Sequence, residues 1–238
     1  MAATSADGTS VSLVLAAGPA GSIVNAVDGR VREAATLLAG SAPRTRFVAA
    51  MSSRAASVFI VGGADPLSGA QRGDAWEFHQ GTWTQLAAMS LRRVLAAVAR
   101  NADRALYLVD HDAGEARLIR VPFGPTSDEA TVLVTWKMPV VPDALFLINT
   151  AASGELMIFG TSYRAGKFWG GTLNKSGGKA KLRNRFVAKG ALLAAPAVSK
   201  FGVSAAVFRE GEGIRNVLLP LPHPEDGEPE DDMEDFYP

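Results

Sequence analysis

Four segments of the chain share one layout: an apolar strand, a polar or small turn, then a second apolar strand. They are FVAAMSSRAASVFIVGG from Phe47, VLAAVARNADRALYLVD from Val94, ALFLINTAASGELMIFG from Ala144 and LLAAPAVSKFGVSAAVF from Leu192. Their starts lie 47, 50 and 48 residues apart. A recurrence of this length constrains the fold more than any single motif. A unit of two to four strands cannot bury its apolar faces alone and must stack on copies of itself. A truncated copy opens the chain, since AATSADGTSVSLVLAAG from Ala2 can be laid on Ala49–Gly63.

Each interval has room for two further strands. Ser57–Val61 is followed by Asp74–Phe78 and Thr82–Leu86, and Leu106–Val109 by Arg117–Val121 and Thr131–Lys137. Leu156–Phe159 is followed by Lys167–Leu173 and Lys181–Val187, but Val203–Phe208 only by Ile214–Leu221. The first copy holds Ser22–Val27 and a second stretch, Val31–Leu38. The overlapping segment Val31–Gly40 (VREAATLLAG) locally reads better as a helix than as a strand. Units of about 40–50 residues with four strands each predict an all-β, propeller-like fold of about five four-stranded blades. The last blade lacks its outermost strand. It is either incomplete, awaiting a strand from a partner chain, or closed by the first ten residues, with self-closure slightly favoured. Evenly spaced short strands also describe a sandwich or an open barrel.

Ser57–Leu86 is the most distinctive copy. An apolar strand stops at Gly62–Gly63, an aromatic follows at Trp76, and six residues separate it from Trp83. This order resembles the kelch repeat of β-propellers over Arg54–Met89. The other copies lack the double glycine and carry Asp110 and Gly160 at that point. The resemblance implies a rigid scaffold that binds proteins or peptides through loops on one face. It transfers no ligand residue. The copper oxidases among kelch-like folds use a cysteine–tyrosine cofactor, which this chain cannot form.

With 238 residues, 47% of them hydrophobic, 24 glycines and 13 prolines, the chain reads as one turn-rich domain. No apolar run approaches ~18 residues and Met1–Ser10 lacks a basic segment followed by an apolar one, so neither a membrane span nor a secretory signal is expected. The absence of cysteine excludes disulfides, thiolate metal sites and a cysteine nucleophile, and is compatible with a cytoplasmic or nuclear location. His79, His111 and His223 have no paired ligand spacing, so no metal is expected. LVLAAGPAG at Leu13–Gly21 imitates a dinucleotide turn, but Ala16 stands where its first glycine is needed. It is better explained as a hairpin turn. Asn174–Lys179 (NKSGGK) imitates only the composition of a phosphate loop, and no Gly-x-Ser-x-Gly elbow exists. No catalytic residue and no cofactor are therefore expected, and the tryptophans are assigned to packing between blades.

What remains is charge. Residues 1–223 hold all 24 bases against 16 acids, while Pro224–Pro238 holds eight acids and no base. The chain thus divides into a β domain, 1–223, and an acidic tail, 224–238, too charged to bury a core. Alternating strand directions would bring Arg44, Arg46, Arg72, Arg92, Arg93 and Arg164 to one face. Arg46, Arg72, Arg93 and Arg164 are the candidate contacts to a partner protein or peptide. Lys175, Lys179, Lys181, Arg183 and Arg185 form a second basic group. It reads as a solvated edge strand or as a patch for an acidic partner, nucleic acid included. Phe236 and Tyr237 set aromatics in the acidic run, in the form of a docking peptide or of a plain solvating tail. The function expected is a non-catalytic protein-interaction scaffold. The alternatives are a structural subunit whose open ring a partner completes, and a propeller enzyme using loop-borne Asp, Glu and Arg.

Overall fold

The computed structural model describes residues 2–4, 10–15, 22–27, 30–36, 44, 46–52, 57–65, 67–80, 82–86, 90–124, 129–149, 155–176, 179–199 and 202–219. Of these, the side chains of 2–36, 174–185 and 198–199 are not described. Every regular element among them is a strand. The first sheet comprises β1 (Ala2–Thr4), β2 (Ser10–Leu15), β3 (Ser22–Val27) and β4 (Arg30–Thr36). The second comprises β5 (Val48–Ser52), β6 (Ser57–Val61), β7 (Ala75–His79) and β8 (Thr82–Gln85). The third comprises β9 (Arg93–Arg100), β10 (Ala105–Asp112), β11 (Glu115–Pro122) and β12 (Thr131–Lys137). The fourth comprises β13 (Ala144–Asn149), β14 (Leu156–Ser162), β15 (Lys167–Ser176) and β16 (Lys179–Lys189). The last comprises β17 (Ala191–Leu192), β18 (Ala197–Ser199), β19 (Gly202–Arg209) and β20 (Gly213–Leu219). In the first four sheets the strands lie in chain order.

Two local expectations are corrected. Residues 31–36 belong to a strand, not a helix, because β4 pairs β3 with Val24 opposite Glu33 and Val27 opposite Arg30. Tertiary pairing overrides a modest helix propensity here. The N-terminal stub does not complete the last sheet: Ala2, Ala3 and Thr4 pair with Leu13, Ser12 and Val11 inside the first sheet. The last sheet is the incomplete one. Its first strand is broken into β17 and β18, both paired to β19, and β20 pairs β19 with no strand beyond it among the described residues.

Sequence periodicity explains why the repeats are visible. In the second, third and fourth sheets the second strand (β6, β10, β14) is covered on both faces, so it reads as a nearly unbroken apolar run. All five residues of β6 are buried. Phe59 and Val61 join one core with Leu106, Leu108, Ile119 and Phe123. Val58 and Ile60 join another with Phe47, Phe78 and Trp83. Phe59 stacks on Phe123 with ring centroids 4.6 Å apart. Two compact units are distinguished, residues 1–112 with 118–132, and 113–117 with 133–238. In the first, β1 lies beside β5, and β5 beside β9.

The position where the repeats diverge has a different task in each copy. Gly62 (φ 62°) and Gly63 (φ 104°) take a left-handed path, and a Cβ on Gly62 would stand 2.8 Å from Val94 Cγ2. Asp110, fully buried, accepts the backbone N–H groups of Arg92 and Arg93 at 2.9 Å each. Gly160 lies under the ring of Trp169, where an added Cβ would be 2.3 Å from the indole.

Candidate functional site

The predicted loop arginines fall into different chemical situations. Arg44 is buried: its guanidinium donates to both carboxylate oxygens of Asp74 at 3.0 Å and to the Gly62 carbonyl at 3.0 Å. Trp76 Nε1 donates to the same carboxylate at 2.7 Å. Burial pushes the Asp74 carboxyl up, but the hydrogen bonds from Arg44 and Trp76 outweigh it and hold the group below the usual carboxylate range. Arg72 pairs with Asp65 at 2.9 Å across a loop. The N–H groups of Ser68 and Leu67, then Arg72, hold Asp65 at about 2. Both acids lie in the connection between β6 and β7. Arg46 (φ 55°) and Arg93 are exposed, the first preceding β5 and the second opening β9. Arg164 is exposed in the β14–β15 turn of the second unit. None of these three makes an ion pair among the described residues.

Lys175 lies in β15, and Lys179, Lys181, Arg183 and Arg185 lie in β16, the outermost strand of its sheet. Lys179, Lys181 and Arg183 take alternate positions opposite Ser176, Asn174 and Thr172, and Arg185 falls at the register shift. Phe236 and Tyr237 lie outside the described residues.

The last sheet holds a surface that inspection of charge does not find. Val203, Ala205 and Val207 on β19, with Leu192, pack against Met157, Phe159 and Phe168 of the fourth sheet, and Val217 and Leu219 join that core. Neighbouring residues on a strand point to the opposite face. There Phe208 stands opposite Ile214, and Ser204 opposite Leu218. Leu193 N–H bonds the Ala206 carbonyl on the same row. Leu193, Phe208, Ile214 and Leu218 are 47%, 48%, 69% and 64% exposed. The outward face thus carries four exposed apolar side chains beside the polar Ser204 and Asn216, while the inward face packs on the fourth sheet. The last sheet's outer edge, β20, leaves a row of backbone donors and acceptors unpaired by any described strand. The signal was present in the sequence as the absent fourth strand. The exposure of Phe208 and Ile214 was not, because alternation does not say which face is covered.

A polar cleft of about 370 Å³ lies between the second and third sheets, lined by Ser57, Glu77, His79, Thr84, Arg104 and Gly124 among others. Ser57 Oγ donates to Glu77 Oε1 at 2.7 Å and lies 3.1 Å from His79 Nδ1, and Gly124 N–H donates to Glu77 Oε2 at 2.8 Å.

No protein-family model matches the chain, and no curated protein matches it. Solved structures do. The chain is similar to TolB from Acinetobacter baumannii, with a TM-score of 0.60 and 11% identity over 92% of this chain and 51% of that one. It is similar to the dihydro-heme d1 dehydrogenase NirN in complex with DHE, with a TM-score of 0.52 and 12% identity over 95% and 48%. It is also similar to hydrazine synthase of Kuenenia stuttgartiensis, with a TM-score of 0.51 and 12% identity over 90% and 60%. The chain spans roughly half of those structures' own lengths, and at such identities the likeness is one of fold alone. These five antiparallel sheets form an all-β, propeller-like fold, and among the described residues the last blade lacks an outermost strand.

Proposed function

We propose that this chain is a non-catalytic protein-interaction module, and that its partner seats on the last sheet by adding a strand to the free edge of β20. One observation carries this: Leu193, Phe208, Ile214 and Leu218 are exposed apolar side chains beside an edge that no described strand pairs. Exposed apolar clusters and open strand edges are features that proteins cover or use. An added strand gains backbone hydrogen bonds along Gly213–Leu219, and its side chains cover the face. Covering side chains already half shielded contributes about 1 kcal/mol each. The occupant is an extended segment with alternating apolar residues. Arg215 and Glu212, 3.9 Å apart, leave little net charge at this edge to favour an acidic or a basic strand.

Arg46 and Arg93 support a second contact. Both are exposed, beside the neighbouring strands β5 and β9, and offer charge to an acidic partner protein. Purified wild type, Ile214→Lys/Leu218→Lys and Arg46→Ala/Arg93→Ala are compared for binding to candidate partners at matched fold stability. The proposal predicts that the first double variant abolishes binding and the second weakens it severalfold. Undiminished binding by Ile214→Lys/Leu218→Lys would contradict it.

A further inference from the structure

The cleft in the first unit is a built site that the docking surface does not use. In this register Ser57 faces His79 across β6–β7, His79 faces Thr82 and Glu77 faces Thr84 across β7–β8. These rows continue the side of the sheet that carries Phe59, so the apolar contact between the second and third sheets turns polar at this end. Arg104, at the β9–β10 turn, and Gly124, after β11, supply the opposite wall. Two of the four described non-glycine residues with positive φ line the cleft, Gln80 and Arg104, both at 47°. Residues held this way concentrate where a surface has work beyond packing.

Glu77 is the centre of the site. Only 6% of it is exposed, and among the described residues its hydrogen-bond partners are neutral: the Ser57 hydroxyl and the Gly124 amide. A buried carboxylate is costly unless a cation accompanies it. Each oxygen accepts one hydrogen bond from these partners and retains a further lone pair. The Ser57 hydroxyl has one proton. Given to Glu77, it leaves the oxygen to accept from His79 Nδ1–H, which makes Nε2 of a neutral ring an acceptor too. Glu77 and His79 Nε2 thus present acceptors to a donor-rich guest.

We infer that this cleft binds an alkyl guanidinium or ammonium group seated on Glu77, carried either by a small amine or by an arginine or lysine side chain of a peptide. Arg104, exposed at the rim, opposes the guest's charge and sets a modest affinity.

The test titrates the full chain with agmatine and with the blocked peptide Ac-Gly-Arg-Gly-NH2, following the amide signals of Ser57, Gln80 and Gly124 by NMR. Saturable shifts are expected, with the citrulline peptide, neutral but nearly the same shape, binding about tenfold or more weakly. Response to agmatine alone identifies a small-amine site, and a stronger response to the peptide identifies a side-chain site. Either supports the inference. Glu77→Gln is expected to lose the same factor. Because that change can loosen the tie to Gly124, Thr84→Lys serves as a second variant. It places an ammonium directly across from Glu77 and is expected to abolish probe binding while raising the melting temperature. No saturable shift at millimolar probe, equal binding of the citrulline peptide, or Arg104-dependent binding of inorganic phosphate would overturn the inference.

Discussion

β6 and β20 are both strands rich in branched apolar residues, SVFIV and GIRNVLL, and they have opposite fates. β6 lies second in its sheet with cores on either side, and all five of its residues are buried. β20 lies at an edge. Val217 and Leu219 reach the core it shares with the fourth sheet, and Ile214 and Leu218 face outward. Composition does not separate the two; position in the sheet and the presence of a covering neighbour do. Where the same chemistry is uncovered, it is available to another molecule.

The sharpest way to break this contrast is to truncate one aromatic in each place. Phe59→Ala removes a fully buried ring stacked on Phe123 and is expected to cost about 3–5 kcal/mol in denaturant unfolding. Phe208→Ala is expected to change stability by about 0.5 kcal/mol or less. A large loss at Phe208 would mean that its face is covered.

Arg44→Met isolates the carboxylate of Asp74, which is partly shielded, and is expected to cost about 2–3 kcal/mol. Gly160→Ala pushes a methyl group into the Trp169 ring and is expected to cost about 1–3 kcal/mol. Gly166→Ala meets nothing within 4 Å and bears only its left-handed φ of 57°, so about 1 kcal/mol is expected. The smallest effect concerns pH. Asp65 has a folded pKa of about 2 against an ordinary 3.8, so it stabilises the fold above the higher value and this contribution is lost as pH falls toward the lower. Asp74, also lowered, acts in the same sense. Acid titration of Asp65→Asn should therefore flatten stability between about pH 4 and 2, and an unchanged slope would remove Asp65 from this role.

Much of the fold was legible because a doubly covered strand is apolar at every position. Ser57–Val61 is such a strand and was bounded from sequence as the structure has it; Thr131–Lys137, an edge strand with exposed positions, was bounded correctly as well. VREAATLLAG was misjudged because its strand depends on pairing with β3, which no local window contains. The candidate surfaces were harder. Arg44 and Arg72 looked like free loop charges, but Asp65 meets Arg72 across one loop and Asp74 meets Arg44 from 30 positions away, beyond β5 and β6. The Glu77 site involves residues 20 and 47 positions apart, and its only trace in sequence is a pair of polar residues at alternate positions in AWEFH.

The most direct measurement places a photo-crosslinking amino acid at position 218 or position 93 of the full chain in its native host. The account predicts one discrete crosslinked protein from position 218, lost when Ile214→Lys is added. Crosslinks from position 93 alone, with none from position 218, would contradict it.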